Sequence, residues 1–242
     1  VLVDVIDTTK HEGVYLHRAV VSEGTLNVGD SLTAKVDAFR RSAIMRNHTA
    51  AHLLQAALRK VLGSHVEQAG QLVNEQRVRF DFTHFSALKP EELAQVEMLV
   101  NQEILKAVPV SMVEMPIEEA RQSGAMALFG EKYGDVVRVV SVTDGFSKEF
   151  CGGTHMDNTA RLGLFKIVSE SSVASGVRRI EGVTGIGVLE MLSTQATTLR
   201  ETAQAMKVAN PMELPLHVGQ VMNQLKEKDK TIGSLNGNLA QN

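Results

Sequence analysis

Two histidines one helical turn apart, in the stretch Arg46-Asn47-His48-Thr49-Ala50-Ala51-His52-Leu53-Leu54, constrain this chain more than any other feature. From Ala50 to Leu62 the apolar residues Ala50, Leu54, Ala57, Leu58 and Val61 recur at intervals of three and four, the spacing of one helical face. Lys60 and then Gly63 supply a C-terminal stop. On such a helix His48 and His52 project roughly 40° apart and differ by about one turn of rise, so they can share one ion. They fall on a polar stripe with Gln55 and Arg59, away from the helix's own apolar face, and another segment must cover them.

The single cysteine is the natural complement. Phe150-Cys151-Gly152-Gly153-Thr154-His155 offers a thiolate and an imidazole four apart across a glycine pair. Three nitrogens and one sulfur from His48, His52, Cys151 and His155 suit tetrahedral Zn2+. The bland alternative is a pair of polar helix histidines plus an inert buried cysteine. A zinc protease is excluded, because H-E-x-x-H needs a glutamate base where this chain has Thr49.

Composition narrows the class. The chain has 242 residues, 43% hydrophobic and 22% charged, enough for one good core and a small second unit. A net charge of -3 gives no global basic field for non-specific nucleic-acid binding. Local basic clusters at Arg40-Arg41 with Arg46, at Arg59-Lys60 and at Arg178-Arg179 read equally well as solvated faces. No signal peptide or membrane-spanning run is read, and one cysteine points to a reducing compartment, so a cytoplasmic location is expected. The start in a strand-like run without methionine and the polar helical end read as a piece of something longer.

In chain order, residues 1–37 read as short strands (1–6, 14–21 and 31–36) separated by turn residues, a pattern that fits a small β-barrel portion. A hairpin-like pair follows at 71–73 and 77–82, in which Val78, Phe80 and Phe82 alternate with Arg77, Arg79 and Asp81. Pro90, Leu93, Val96, Leu99, Val100 and Ile104 predict a second amphipathic helix. Strands are expected at 108–114, 136–142, 162–169 and 177–184, and a short helix at 116–123. Helices and strands mix without regular βαβ alternation, which predicts an α+β fold. Beyond Gly187 two helices are expected, 188–206 and 218–239, broken at Asn210-Pro211 and at Pro215. Val221, Leu225, Ile232, Leu235 and Leu239 form a stripe that packs back or opens an oligomerising coiled coil, the first being the reading adopted.

Five blocks then carry a resemblance. They are Arg46 to Leu54, Arg79-Phe80-Asp81-Phe82-Thr83-His84-Phe85, Gly124 to Gly134, Cys151 to His155, and Gly176-Val177-Arg178-Arg179-Ile180-Glu181. In this order they resemble the editing region of bacterial alanyl-tRNA synthetases, with kinship to freestanding alanyl-tRNA editing proteins. The resemblance implies a barrel portion over 1–40, an editing domain over 41–186 and a helical segment over 187–242 leading to a C-terminal domain, through which oligomerisation is possible. It also implies an aminoacyl-tRNA hydrolase acting on the acceptor end of tRNA(Ala) charged with serine or glycine, inside an enzyme that joins alanine to tRNA(Ala) with ATP. A pocket made for alanine rejects glycine or serine poorly, so a second, hydrolytic site restores fidelity.

Zinc in such a site can polarise the ester, acidify a water or hold the substrate's polar groups. Thr49, beside a ligand, and Gln68, in a His-x-x-Gln-x-Gly segment similar to one facing the family's pocket, are the catalytic candidates. Their plainer roles are a helix N-cap and a surface amide. Gly152 and Gly153 permit close approach to the ester carbonyl. Of Arg178 and Arg179, which alternate along a strand, one can face a phosphate or ribose, and Arg178 is the residue assigned. His65, His84 and His217 read as ordinary polar residues. The rivals are a structural-zinc RNA-binding module without hydrolytic activity, a thiol hydrolase built on Cys151 and His155, and a freestanding editing factor.

Overall fold

The computed structural model describes residues 1–127, 133–142 and 144–239. Part of the third sequence block, residues 128–132, lies outside the described residues. The chain divides into two compact units, Val1–Asp37 and Ala38–Asn242.

In the first unit, β1 (Leu2–His11) and β2 (Val14–Glu23) pair as an antiparallel hairpin. Glu12 and Gly13 both adopt positive φ, the two-residue turn whose twist matches that of the strands. The expected barrel is not formed: no third strand pairs with either edge among the described residues, and residues 31–36 are not a strand. Two strands whose side chains are exposed along nearly their whole length enclose no interior, whereas a barrel needs a closed, tilted set.

The second unit is built on α1 (Ala38–Leu62). This helix starts three turns earlier than the apolar periodicity indicated, because residues 38–49 hold good helix formers and no glycine or proline. It ends where expected, with Gly63 at φ 118 and its N–H donating to the Arg59 carbonyl. Residues 49–54 are buried without a break, so the middle of α1 is enclosed on all sides.

One face of α1 packs on a four-stranded antiparallel sheet in the order β3-β4-β9-β8: β3 (Gln68–Val73), β4 (Val78–Thr83), β9 (Val177–Thr184) and β8 (Phe165–Ala174). Phe80 and Phe82 of β4 and Ile180 of β9 bury against Leu53, Leu54 and Leu58, with Val96, Val100 and Ile104 of α2 (Pro90–Leu105) completing the core. Asn47 ties α1 to the sheet, donating to the Asn74 carbonyl at 2.8 Å and accepting from the Thr184 hydroxyl at 2.6 Å.

A second antiparallel sheet, β5 (Val110–Pro116), β6 (Val136–Val142) and β7 (Lys148–Phe150), has its own small core of Ala120, Val137, Val139 and Phe150 under α3 (Ile117–Gln122). This sheet covers the polar stripe of α1: Glu149 bonds His52, and Gln55 reaches Met126. Expectation and structure agree on a mixed α+β core, and its sheets prove to be open.

The C-terminal part forms α4 (Ile186–Ala205), a 3-10 turn at Pro211–Glu213 and α5 (Leu214–Leu239). Asn210 caps that turn through the Met212 N–H. Pro215 does not break α5, because it occupies the first turn, where no N–H is required. Leu225, Ile232, Leu235 and Leu239 are exposed, so the stripe does not pack back onto the core. No helix among the described residues is long and apolar enough to cross a membrane.

Candidate metal centre

His48, His52, Cys151 and His155 are drawn from the middle of α1 and the segment leaving β7, and their ligand atoms all lie within 4.8 Å of one another. Cys151 Sγ sits 3.5 Å from His48 Nε2 and 3.3 Å from His155 Nε2. Donors held about 2.0–2.3 Å from a single tetrahedral ion stand roughly 3.3–3.8 Å apart, and the two separations from sulfur lie in that range. His52 supplies an independent test. Its Nε2 is buried and makes no hydrogen bond among the described residues, the state expected of an imidazole nitrogen reserved for a cation.

The surroundings tune Cys151, His52 and His155. Burial alone would raise the Cys151 thiol, but hydrogen bonds with His155 and His48 and the charge of the nearby His52 outweigh it and bring its pKa down to about 3, which makes the sulfur a thiolate. Burial works against a charged His52, yet the Glu149 carboxylate beside it wins and moves its pKa upward. For His155, burial dominates and lowers the pKa to about 4, so this ring is neutral and able to coordinate at physiological pH.

The glycine pair divides into two roles. A Cβ on Gly153 would lie 1.8 Å from His48 Cε1, so the close approach of this backbone to His48 requires glycine, whereas a Cβ on Gly152 meets nothing within 4 Å. The Gly153 N–H donates to Cys151 Sγ at 3.4 Å. Beside the cluster opens a cavity of about 400 Å³, lined in part by His48, Gln71, Arg138, Cys151, Gly152 and Gly153.

Thr49 lies inside α1, not at its N-cap, and is buried. Its hydroxyl oxygen accepts from the Met156 N–H at 3.0 Å and stands 3.4 Å from His155 Nδ1. Gln68 opens β3 opposite Phe82, and Gln71 pairs with Phe80; cross-strand partners share a face, so the bulge between Gln68 and Gly70 turns both glutamines toward α1. Of the two, Gln71 lines the cavity and Gln68 does not.

Arg178 is not among the cavity-lining residues; its Nε donates to Glu170 at 2.5 Å, and Arg179 is taken by Asp81 at 2.6 Å. His65 and His84 prove to be paired, 2.9 Å apart. Sequence reasoning missed Glu149, Gln71 and Arg138. For Glu149 a signal existed: it precedes Cys151 by two residues, and at strand spacing such residues share a side.

Residues 137–181, running from β6 to β9 and including Cys151 and His155, match the family model described as "Threonyl and Alanyl tRNA synthetase second additional domain". This stretch is thus similar to a domain of the aminoacyl-tRNA synthetase class. The chain is 52% identical over 238 residues to the alanine–tRNA ligase of Acetivibrio thermocellus, covering 98% of this chain and 27% of that protein. It is 50% identical to that of Polaromonas naphthalenivorans, covering 98% and 27%, and 48% identical to that of Bacillus pumilus, covering 100% and 27%. This chain belongs to the alanine–tRNA ligase family and spans about a quarter of the length of these relatives.

Proposed function

We propose that the chain is the editing part of an alanine–tRNA ligase and hydrolyses the ester joining serine or glycine to the terminal adenosine of tRNA(Ala). The observation that carries this reading is the convergence of three imidazoles and one thiolate on one point at the wall of an open cavity. His48, His52, Cys151 and His155 would hold zinc. Where one of the four donors gives way to water or substrate, the ion would supply Lewis-acid polarisation at the cavity wall; with all four bound it would organise the pocket for a nearby water.

The protein's own groups account for the rest. Gly152 lines the cavity with nothing pressed against it, so its amide is assigned the ester carbonyl oxygen; the Gly153 amide is engaged by sulfur. Gln71, which lines the cavity, and Gln68, on the same side of their sheet, are the two candidates for the hydroxyl of a misplaced serine or the attacking water. Thr49 holds His155 through its hydroxyl. Arg138 lines the cavity and donates from Nε to the Cys151 carbonyl at 3.0 Å. Of the two candidates for the substrate's phosphate or ribose, Arg138 lines the cavity and Arg178, bonded through Nε to Glu170, does not, which favours Arg138. The partner is the acceptor end of tRNA(Ala), and ligation with ATP belongs to the longer protein.

Deacylation of seryl-tRNA(Ala) by the chain, with and without Cys151→Ala, tests the proposal. Activity in the parent and its loss in a folded variant is the expected result; equal rates would refute it. The completeness of the four-donor set also favours a structural-zinc reading, in which chelation unfolds the protein. Circular dichroism in excess chelator separates the two, and a retained fold is expected.

A further inference from the structure

We infer that Glu149, itself held by Ser147, is a positioning residue for the metal centre: it fixes the tautomer and ring orientation of His52 so that Nε2 presents its lone pair to the ion. This inference rests on the metal-site reading above. Glu149 lies in β7 and is 5% exposed. Its Oε2 is 2.6 Å from His52 Nδ1, and its Oε1 accepts from the Ser147 hydroxyl at 2.9 Å. A carboxylate oxygen accepts, so Nδ1 is the donor of this short bond and Nε2 is the nitrogen left to face the ion. That nitrogen is the one found buried without a hydrogen bond.

A carboxylate is costly to bury, and among the described residues the one ion-pair partner of Glu149 is His52. Both carboxylate oxygens are engaged, which fixes the plane of the group as well as its place. The bracing is reciprocal between the two halves of the site. His52 on α1 is oriented from β7 by Glu149, while His155, in the segment after β7, is met from α1 by the Thr49 hydroxyl at 3.4 Å. Outer partners of this kind set imidazole orientation and basicity in metal sites.

The test uses the zinc-loaded 242-residue chain. Zinc dissociation constants are measured by chelator competition for the parent, Glu149→Ala, the near-isosteric Glu149→Gln, Ser147→Ala and, as a control on the site itself, Cys151→Ala. Circular dichroism in excess chelator monitors the fold, and nitrogen-15 NMR of the zinc-loaded proteins monitors the His52 Nδ1–H. Glu149→Ala is expected to weaken zinc about 10–100-fold with loss of the hydrogen-bonded Nδ1 proton. Glu149→Gln should recover part of the affinity, because an amide oxygen still accepts, and Ser147→Ala should lose least. If Glu149→Ala does not fold, Glu149→Gln and Ser147→Ala carry the comparison. Parental zinc affinity and an unchanged His52 signal in the Glu149 variants, with zinc lost from Cys151→Ala, overturn the inference alone. Zinc affinity unchanged in Cys151→Ala as well overturns the metal site and the inference with it.

Discussion

Adding one methyl group at Gly153 removes no ligand atom, yet it should disable the metal centre. The new Cβ would stand 1.8 Å from His48 Cε1 and 2.3 Å from Nδ1, where ordinary contact begins at 3.4 Å. The imidazole must therefore retreat by ~1.6 Å, against a tolerance of about 0.2 Å for a zinc–ligand distance. His48 is then lost as a donor, and zinc affinity should fall by at least ~100-fold, the upper end of what losing an outer-shell partner costs. At zinc one hundred times the parental Kd, a bound ion contributes about 2.7 kcal/mol to folding. For a chain of this size that corresponds to roughly 5–10 °C in Tm.

The assay is thermal denaturation of parent and Gly153→Ala in zinc and in excess chelator, with chelator competition giving Kd directly. A Tm gap in zinc that closes in chelator is expected, because an unliganded His48 is free to swing aside. Gly152→Ala, whose Cβ meets nothing within 4 Å, should behave as the parent in both media. Parental Kd and a parental zinc-dependent Tm shift for Gly153→Ala would refute the claim that this glycine exists to seat His48.

Three further predictions concern the scaffold. Phe80→Ala, at a wholly buried position of β4, should cost about 3–5 kcal/mol in urea denaturation, and a loss under ~1 kcal/mol would contradict the core described. Asn47→Ala severs the two bonds joining α1 to Asn74 and Thr184, and should lower stability by about 1–3 kcal/mol without altering zinc affinity. Burial, reinforced by the charge of His65, lowers the His84 pKa below 6.5. The unfolded chain then binds a proton that the folded one resists, so stability is full above pH 6.5 and drains as pH falls. His84→Asn should flatten that loss relative to the parent, as measured by urea denaturation from about pH 7.5 to about pH 5.5 in chelator.

The residues gathered at the candidate site were legible because the signal is local. A pair four apart on a helix and a pair four apart across two glycines each announce themselves within one turn of chain. Glu149 was legible in principle by strand spacing, but its partner His52 lies 97 residues away, and no periodicity links them. Gln71 and Arg138 reach the cavity through a β-bulge and a sheet register, both set by pairing with distant strands. The start of α1 was missed because its first three turns lack the clean apolar face on which the expectation relied. The barrel failed for the opposite reason, since turn residues and β-branched runs predict strands well and say nothing of how many close on one another.

By itself, then, the sequence determined the helix under the histidines, the alternation of β4, the α+β mixture and the residue types able to coordinate zinc, since each follows from neighbours a few positions apart. Only the tertiary structure decided that the β5-β6-β7 sheet lies over the polar stripe of α1, that Arg178 Nε donates to Glu170, and that Glu149 meets His52. Those outcomes come from packing between segments distant in the chain, where burial of Phe80, Phe82 and Ile180 against α1 fixes which polar groups face each other and which are left for a ligand.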